Sequence, residues 1–234
     1  MVAILKREIK NYFKNPVGYV FLGVFLAISG LLFFLNVVRI GVADFSNFFN
    51  AMFLTIIFSM PILTMGLFSD EYRFKTDRLL FSSPVRIFSI VVGKYLAACF
   101  LYFIASLVNI LYVLVASFFA NLQYSLIFSC LIGTVLIGFS LISIGIFVSC
   151  LTRNPVISAF GAFGIFILFI FVGELSSYIP FKWMKEVVNG LAIMTRYNNF
   201  VMGIINISDI LYFISIIVVF SFLSIVMLLK KRWN

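Results

Sequence analysis

Tyr95 to Thr152 run for 58 residues without one Asp, Glu, Lys or Arg. As a single helix this stretch would be about 87 Å long at 1.5 Å per residue. That is nearly three times the ~30 Å hydrocarbon core of a bilayer. It must therefore fold back, and Asn121-Leu122-Gln123-Tyr124 is its most polar place to turn. The spacing predicts two membrane spans, near 88–119 and 125–151. Composition agrees: 64% of the chain is hydrophobic and 11% charged, and its mean hydropathy is +1.20. Soluble domains average about 45–50% apolar and about 25% charged.

Four more uncharged runs are long enough to cross, at 17–38, 45–68, 156–173 and 210–229. Pro61 lies inside the second and is expected to kink it. The first exceeds the roughly 7–15-residue core of a cleavable signal, so it reads as an anchor that stays. Ahead of it, Val2, Leu5, Ile9, Tyr12 and Phe13 recur at helical spacing, with Lys6, Arg7, Lys10 and Lys14 between them. This predicts an amphipathic helix over 2–14 on the membrane surface. Residues 174–209 are too polar to span and too apolar for a free loop. Phe181, Met184, Val188 and Leu191 share one helical face there, interrupted by Lys182, Lys185, Glu186 and Arg196. One or two short interfacial or re-entrant helices are expected. The predicted fold is an all-α polytopic membrane protein of six spans in a single domain.

With six spans both termini share a side. That side collects 13 of the 17 lysines and arginines, leaving Arg39, Lys182, Lys185 and Arg196 on the other. The positive-inside rule then puts both termini in the cytoplasm. Positive charge beside apolar runs is an orientation signal, which removes nucleic acid as the reason for the net charge of +9.

Chemistry is sparse. There is no histidine, and Cys99, Cys130 and Cys150 sit singly in apolar runs, as buried small hydrophobes would. None of the eight carboxylates lies clearly in mid-span, which counts against a stand-alone proton-coupled transporter. Ser106, Ser140 and Ser143 read as helix-packing residues rather than nucleophiles. Gly133, Gly138 and Gly145 join the latter two in a small-residue stripe on the fourth span. No Gly-x-x-x-x-Gly-Lys-Ser/Thr loop occurs, so any nucleotide site is on another polypeptide. No catalytic, cofactor-binding or metal-binding residues are assigned.

The informative segment is 69–94, which holds Asp70, Glu71, Arg73, Lys75, Asp77, Arg78, Arg86 and Lys94. Each charge would cost about 2.5–3.5 kcal/mol at the centre of a membrane helix, so the segment is expected to be an aqueous loop. Asp70 and Glu71 end the second span. Thr76 can cap a short helix through Asp77, Arg78, Leu79 and Leu80. Leu79, Leu80 and Phe81 are three apolar residues in a row on a loop facing water, and something should cover them.

Three stretches carry a family resemblance: 6–19, with Lys-Arg-Glu-Ile-Lys-Asn-Tyr-Phe-Lys-Asn-Pro-Val-Gly-Tyr; Pro61 through Asp70-Glu71, Thr76-Asp77-Arg78-Leu79-Leu80 and Ser83-Pro84 to Gly93-Lys94-Tyr95; and Asn199-Phe200 with 203–212 and the Lys-Lys-Arg-Trp ending. The chain resembles the membrane subunit of a type-2 ATP-binding-cassette transporter, in the branch of gliding-motility and nitrous-oxide-reductase-maturation permeases. The family usually has glycine before the threonine, where this chain has Lys75. The resemblance implies an export permease in the inner membrane, without enzymatic activity of its own. It implies a homodimer of permeases, two copies of a separate ATPase, and room for an accessory membrane protein. Residues 70–84 would form the coupling helix in a groove of the ATPase, through Asp70, Glu71, Thr76, Asp77, Arg78, Leu79, Leu80 and Phe81. The helix at 2–14 would be the interface helix, and residues 175–205 would close the outer exit. Two other readings stand beside this one: a non-transporting scaffold that anchors an ATPase, and a secondary transporter working alone.

Overall fold

The computed structural model describes residues 2–39, 45–76, 86–120, 122–175, 190 and 192–233, and all regular secondary structure among them is helical. A short helix, Val2–Lys14, precedes the first crossing. Among the described residues six helices are long and apolar enough to span a membrane: Pro16–Val38, Phe45–Arg73, Ile87–Ala116, Tyr124–Leu151, Pro155–Gly173 and Ile207–Lys231. They are called spans 1 to 6. Between the last two lies a nine-residue helix, Ile193–Val201. The protein is a multi-pass membrane protein. The end that carries both termini is called the basic end, and the opposite one the far end.

Span 4 is the centre of the bundle. Spans 2, 3, 5 and 6 and the helix Ile193–Val201 all pack on it. In spans 2 and 4, 67% of the most apolar stretch is buried, against 17% in spans 5 and 6. The small residues of span 4 explain how so many neighbours fit. A Cβ at Gly133 would stand 2.6 Å from the Phe200 side chain, one at Gly138 2.0 Å from the Tyr102 ring, and one at Gly145 2.2 Å from Thr64 Oγ1. Each glycine therefore receives a side chain from a different element. Ser140 and Ser143 donate to the carbonyls of Ile137 and Ser140 within their own helix, at 2.7 and 2.6 Å, so they add no unmet polarity to these contacts.

Span 2 is interrupted. Pro61 has no N–H to give, and the helix stops at Thr64 and restarts at Gly66. A restart inside a protein leaves N–H groups without helical partners. Ser149 of span 4 meets them. Its Oγ accepts from the N–H of Phe68 and of Ser69, at 3.0 and 3.2 Å, and donates to the Met65 carbonyl at 3.1 Å. The second piece, Gly66–Arg73, is thereby held at its start by span 4.

The charged segment 69–94 is not an aqueous loop throughout. Ser69 to Arg73 continue span 2, and Lys94 lies two turns inside span 3 with 2% of its surface exposed. Burial is tolerated because its charge is met, as described below. Asp77, Arg78, Leu79, Leu80, Phe81 and Ser83-Pro84 lie outside the described residues. So do Phe181, Lys182, Met184, Lys185, Glu186, Val188 and Leu191.

The glycine packing yields a direct comparison. Gly138→Ala forces a methyl into the Tyr102 ring and should cost about 1–3 kcal/mol by overpacking, read as a lower melting temperature in detergent. Gly164→Ala, where nothing lies within 4 Å of the added Cβ, should leave it unchanged or raise it slightly. Equal effects at both positions would contradict the central role of span 4.

Candidate functional site

Two glycines bring the N-terminal helix against the bundle. At Gly93 of span 3 a Cβ would lie 2.9 Å from Ile4, and at Gly18 one would lie 2.4 Å from the Tyr12 carbonyl oxygen. The second contact lets the chain turn back sharply at Asn15-Pro16. Tyr12 then reaches span 2, its hydroxyl donating to the Leu63 carbonyl at 3.0 Å. With the helix seated this way, the residue after Gly93 faces Glu8.

That residue is Lys94, and four charges meet around it. Its Nζ lies 2.9 Å from Glu71 Oε1 and 3.3 Å from Glu8 Oε2, and donates to the Leu67 carbonyl at 2.7 Å. It also sits over the Phe68 ring, 5.0 Å from the centroid. Arg7 closes the ring from the solvent side, at 2.7 Å from Glu8 Oε1 and 3.5 Å from Glu71 Oε1. Glu8 and Lys94 are buried and Glu71 nearly so. Two cations and two carboxylates cancel, and each Lys94 contact is charge-assisted. Three elements are joined by it: the N-terminal helix through Glu8, the second piece of span 2 through Glu71, and span 3 through Lys94.

Glu71 also shapes the chain's exit from span 2. Thr76 N–H donates to the Glu71 carbonyl at 3.0 Å, and Lys75 N–H to the Tyr72 carbonyl at 3.3 Å. These are the two bonds of a Schellman cap. The residue between them must be left-handed, and Lys75 has φ +56°. The left-handed position before Thr76, where the resemblance leads one to expect glycine, is held here by a lysine. The Thr76 hydroxyl also donates back to the Glu71 carbonyl, at 3.3 Å. Span 6 adds one more hold. Lys231 Nζ donates to the Cys150 carbonyl at 2.7 Å and lies 3.9 Å from the centroid of the Tyr72 ring. Gly66–Arg73 is thus gripped by the N-terminal helix and by spans 3, 4 and 6.

Of the eight residues expected to couple to a partner, the structure describes Asp70, Glu71 and Thr76. Glu71 is the member of that set that enters the ion network, and Asp70 lines the cleft beside it. Glu8, Lys94 and Ser149 were not among the eight. A lysine seven residues into an apolar helix that follows a glycine was the available signal for Lys94.

The far end holds a second polar cluster. Asp209, in the first turn of span 6, is fully buried. It accepts from Arg196 at 2.6 Å, Asn199 at 2.8 Å and Asn206 at 3.4 Å. Tyr197 anchors the same short helix in the bundle, donating to the Phe49 carbonyl at 2.8 Å and stacking on Phe53 at 5.3 Å. Glu8, Glu71 and Asp209 are therefore buried or nearly so, yet none lies in mid-span: Glu8 is on the N-terminal helix, and Glu71 and Asp209 are at span ends, where a neighbouring element brings each a cation.

Removing one partner of a buried pair typically costs about 3–5 kcal/mol, since the other charge is stranded. Lys94→Met should therefore lower the melting temperature sharply, and adding Glu8→Gln and Glu71→Gln should recover part of the loss. No recovery would mean that Lys94 acts by packing alone. Lys75→Gly relieves a left-handed lysine, a cost of about 1–2 kcal/mol, and should raise the melting temperature; a fall would place a specific contact on the lysine side chain.

A family model described as ABC-2 type transporter matches residues 1–206. A comparison with curated proteins found no match. The matched region contains the whole ion network, spans 1 to 5 and the helix Ile193–Val201, and ends one residue before span 6 begins. The chain belongs to the ABC-2 type transporter family and is the membrane-embedded permease subunit of an ABC-type transporter.

Proposed function

We propose that this permease drives export with energy from a separate ATPase, and that the ring of Arg7, Glu8, Glu71 and Lys94 carries the motion into the spans. A charge-balanced cluster at the junction of three elements resists their separation while leaving each a rigid lever. The N-terminal helix and the exit from span 2 point to the same end of the bundle. A partner that pushes on either one moves Glu8 or Glu71 and so pulls on Lys94 in span 3. The break at Met65 allows Gly66–Arg73 to tilt as a unit, with Ser149 as its pivot. The single observation that carries this reading is the buried Lys94 bridging Glu8 and Glu71.

The working assembly is two copies of this single-domain permease with two ATPase subunits. Of residues 70–84, those beyond the Thr76 cap, including Asp77, Arg78, Leu79, Leu80 and Phe81, dock on the ATPase as the coupling element. Both termini face the cytoplasm of a cell whose inner membrane holds the protein, a placement supported by the asymmetry of 13 cations to four. The central sequence signature favours the gliding-motility and nitrous-oxide-reductase-maturation branch. Arg196 and Asp209 clamp the short helix that closes the outer exit.

Two measurements test the proposal. The permease co-purified with its ATPase and reconstituted in vesicles should hydrolyse ATP and move cargo. Glu71→Gln should keep the complex intact but reduce cargo flux per ATP by an order of magnitude or more. An unchanged ratio would remove the ring from the coupling path, and cargo flux without any ATPase would overturn the function. For orientation, the three native cysteines are buried, so background labelling is low. An impermeant thiol reagent added to intact cells should label Ile204→Cys and spare Arg153→Cys; the reverse pattern would invert the topology.

A further inference from the structure

Beside the ion network, between the N-terminal helix and the basic ends of spans 2 and 3, lies a cleft of about 840 Å³. That is within the usual ~300–1,000 Å³ of small-molecule sites. Its walls differ in character. Ile4 and Val17, half-buried, and Phe74, exposed, supply apolar surface over the buried Tyr12, Leu63 and Leu67. The last turn of the N-terminal helix and its exit supply a polar rim of Lys10, Asn11, Lys14 and Asn15, all exposed. Asn15 Nδ2 donates to Asn11 Oδ1 at 3.1 Å, which fixes the two amides side by side. An apolar wall under a cationic and amide rim is the arrangement that receives an amphiphile, with its chain inward and its head at the rim.

The charges narrow the head. Arg7, Glu8, Glu71 and Lys94 also line the cleft, but they neutralise one another. Among the described residues no ion pair is recorded for Lys10, Lys14 or Asp70, which leaves two cations against one carboxylate. One net positive charge matches the single negative charge of a phosphodiester. Position agrees. Phe13 and Tyr19, exposed and packed edge to face at 6.2 Å, mark the turn between the N-terminal helix and span 1. Exposed aromatic side chains of this kind sit at the level of lipid headgroups.

We infer that this cleft binds one anionic phospholipid, its phosphodiester held by Lys10 and Lys14 and one acyl chain laid against Val17 and Ile4, above the buried Tyr12 and Leu63. The lipid would wedge the N-terminal helix against span 2 next to the coupling ring. This holds whether or not the ring transmits force, and its test reads lipid binding rather than transport.

The purified permease, in a neutral detergent, is titrated with short-chain phosphatidylglycerol, with phosphatidylcholine of equal chain length, and with glycerol phosphate. Phosphatidylglycerol should raise the melting temperature by several degrees, saturably, and the other two should not. In Lys10→Glu/Lys14→Glu the shift should vanish, while Arg153→Glu, also cationic and exposed at the basic end, should keep it. A photoreactive phosphatidylglycerol should crosslink to peptides containing Tyr12 or Val17. Equal stabilisation by phosphatidylcholine would show that the head is not read. Stabilisation by glycerol phosphate alone would show that no chain enters. Loss of the shift in Arg153→Glu would show only diffuse attraction. Loss of the crosslink when irradiation is done with the ATPase already bound would give the cleft to the partner protein. Each of these results overturns the inference.

Discussion

The interaction on which the rest depends is the seating of Lys94 between Glu8 and Glu71. An ammonium group seven residues into an apolar span is costly unless it is paired and fully hydrogen-bonded. Here it has two carboxylates, a backbone carbonyl and an aromatic face. The consequence is architectural. Neither carboxylate belongs to span 3, so the lysine is stable only while the N-terminal helix and the last two turns of span 2 stay where they are. A surface helix is thereby made part of the bundle.

The same logic governs the break in span 2. Pro61 removes one helical bond, and the chain restarts with its N–H groups facing span 4. Ser149 alone meets three backbone groups of that restart. The result is a short helix whose start is held by Ser149 and whose end is a left-handed cap, where Thr76 and Lys75 bond back to Glu71 and Tyr72. Its far-end counterpart is the helix Ile193–Val201, held in the bundle by Tyr197 and tied to span 6 by Asp209. Span 4 lies between the two and touches both.

Much of this was legible in advance. Uncharged length predicts six crossings, because a bilayer of known thickness admits few alternatives. The glycines of span 4 point to close packing, since only a missing Cβ lets a Phe, Tyr or Thr side chain approach to such distances. The partners of those glycines were not legible. Nothing local to Gly138 names Tyr102, 36 positions earlier. The charge-dense segment reads as a loop only while each charge is costed alone. That accounting fails for Glu71 and Lys94, whose cost is removed by residues distant in sequence. Asp209 falls just outside the uncharged run 210–229, and its burial depends on Arg196 and Asn199 arriving from the preceding helix.

The amino-acid sequence by itself determined that this chain lives in a membrane, how often it crosses, which end is basic and that it holds no nucleotide loop. Those properties follow from sums over short windows, of apolar length and of charge, to which a bilayer responds directly. Only the tertiary structure decided that Glu8, Glu71, Lys94 and Arg7 form one ring, that Ser149 caps a broken helix and that an amphiphile-sized cleft opens beside them. Each of these requires groups from separate helices to come within a few ångströms. The energy of a charge or an orphaned N–H is set by what stands next to it in space.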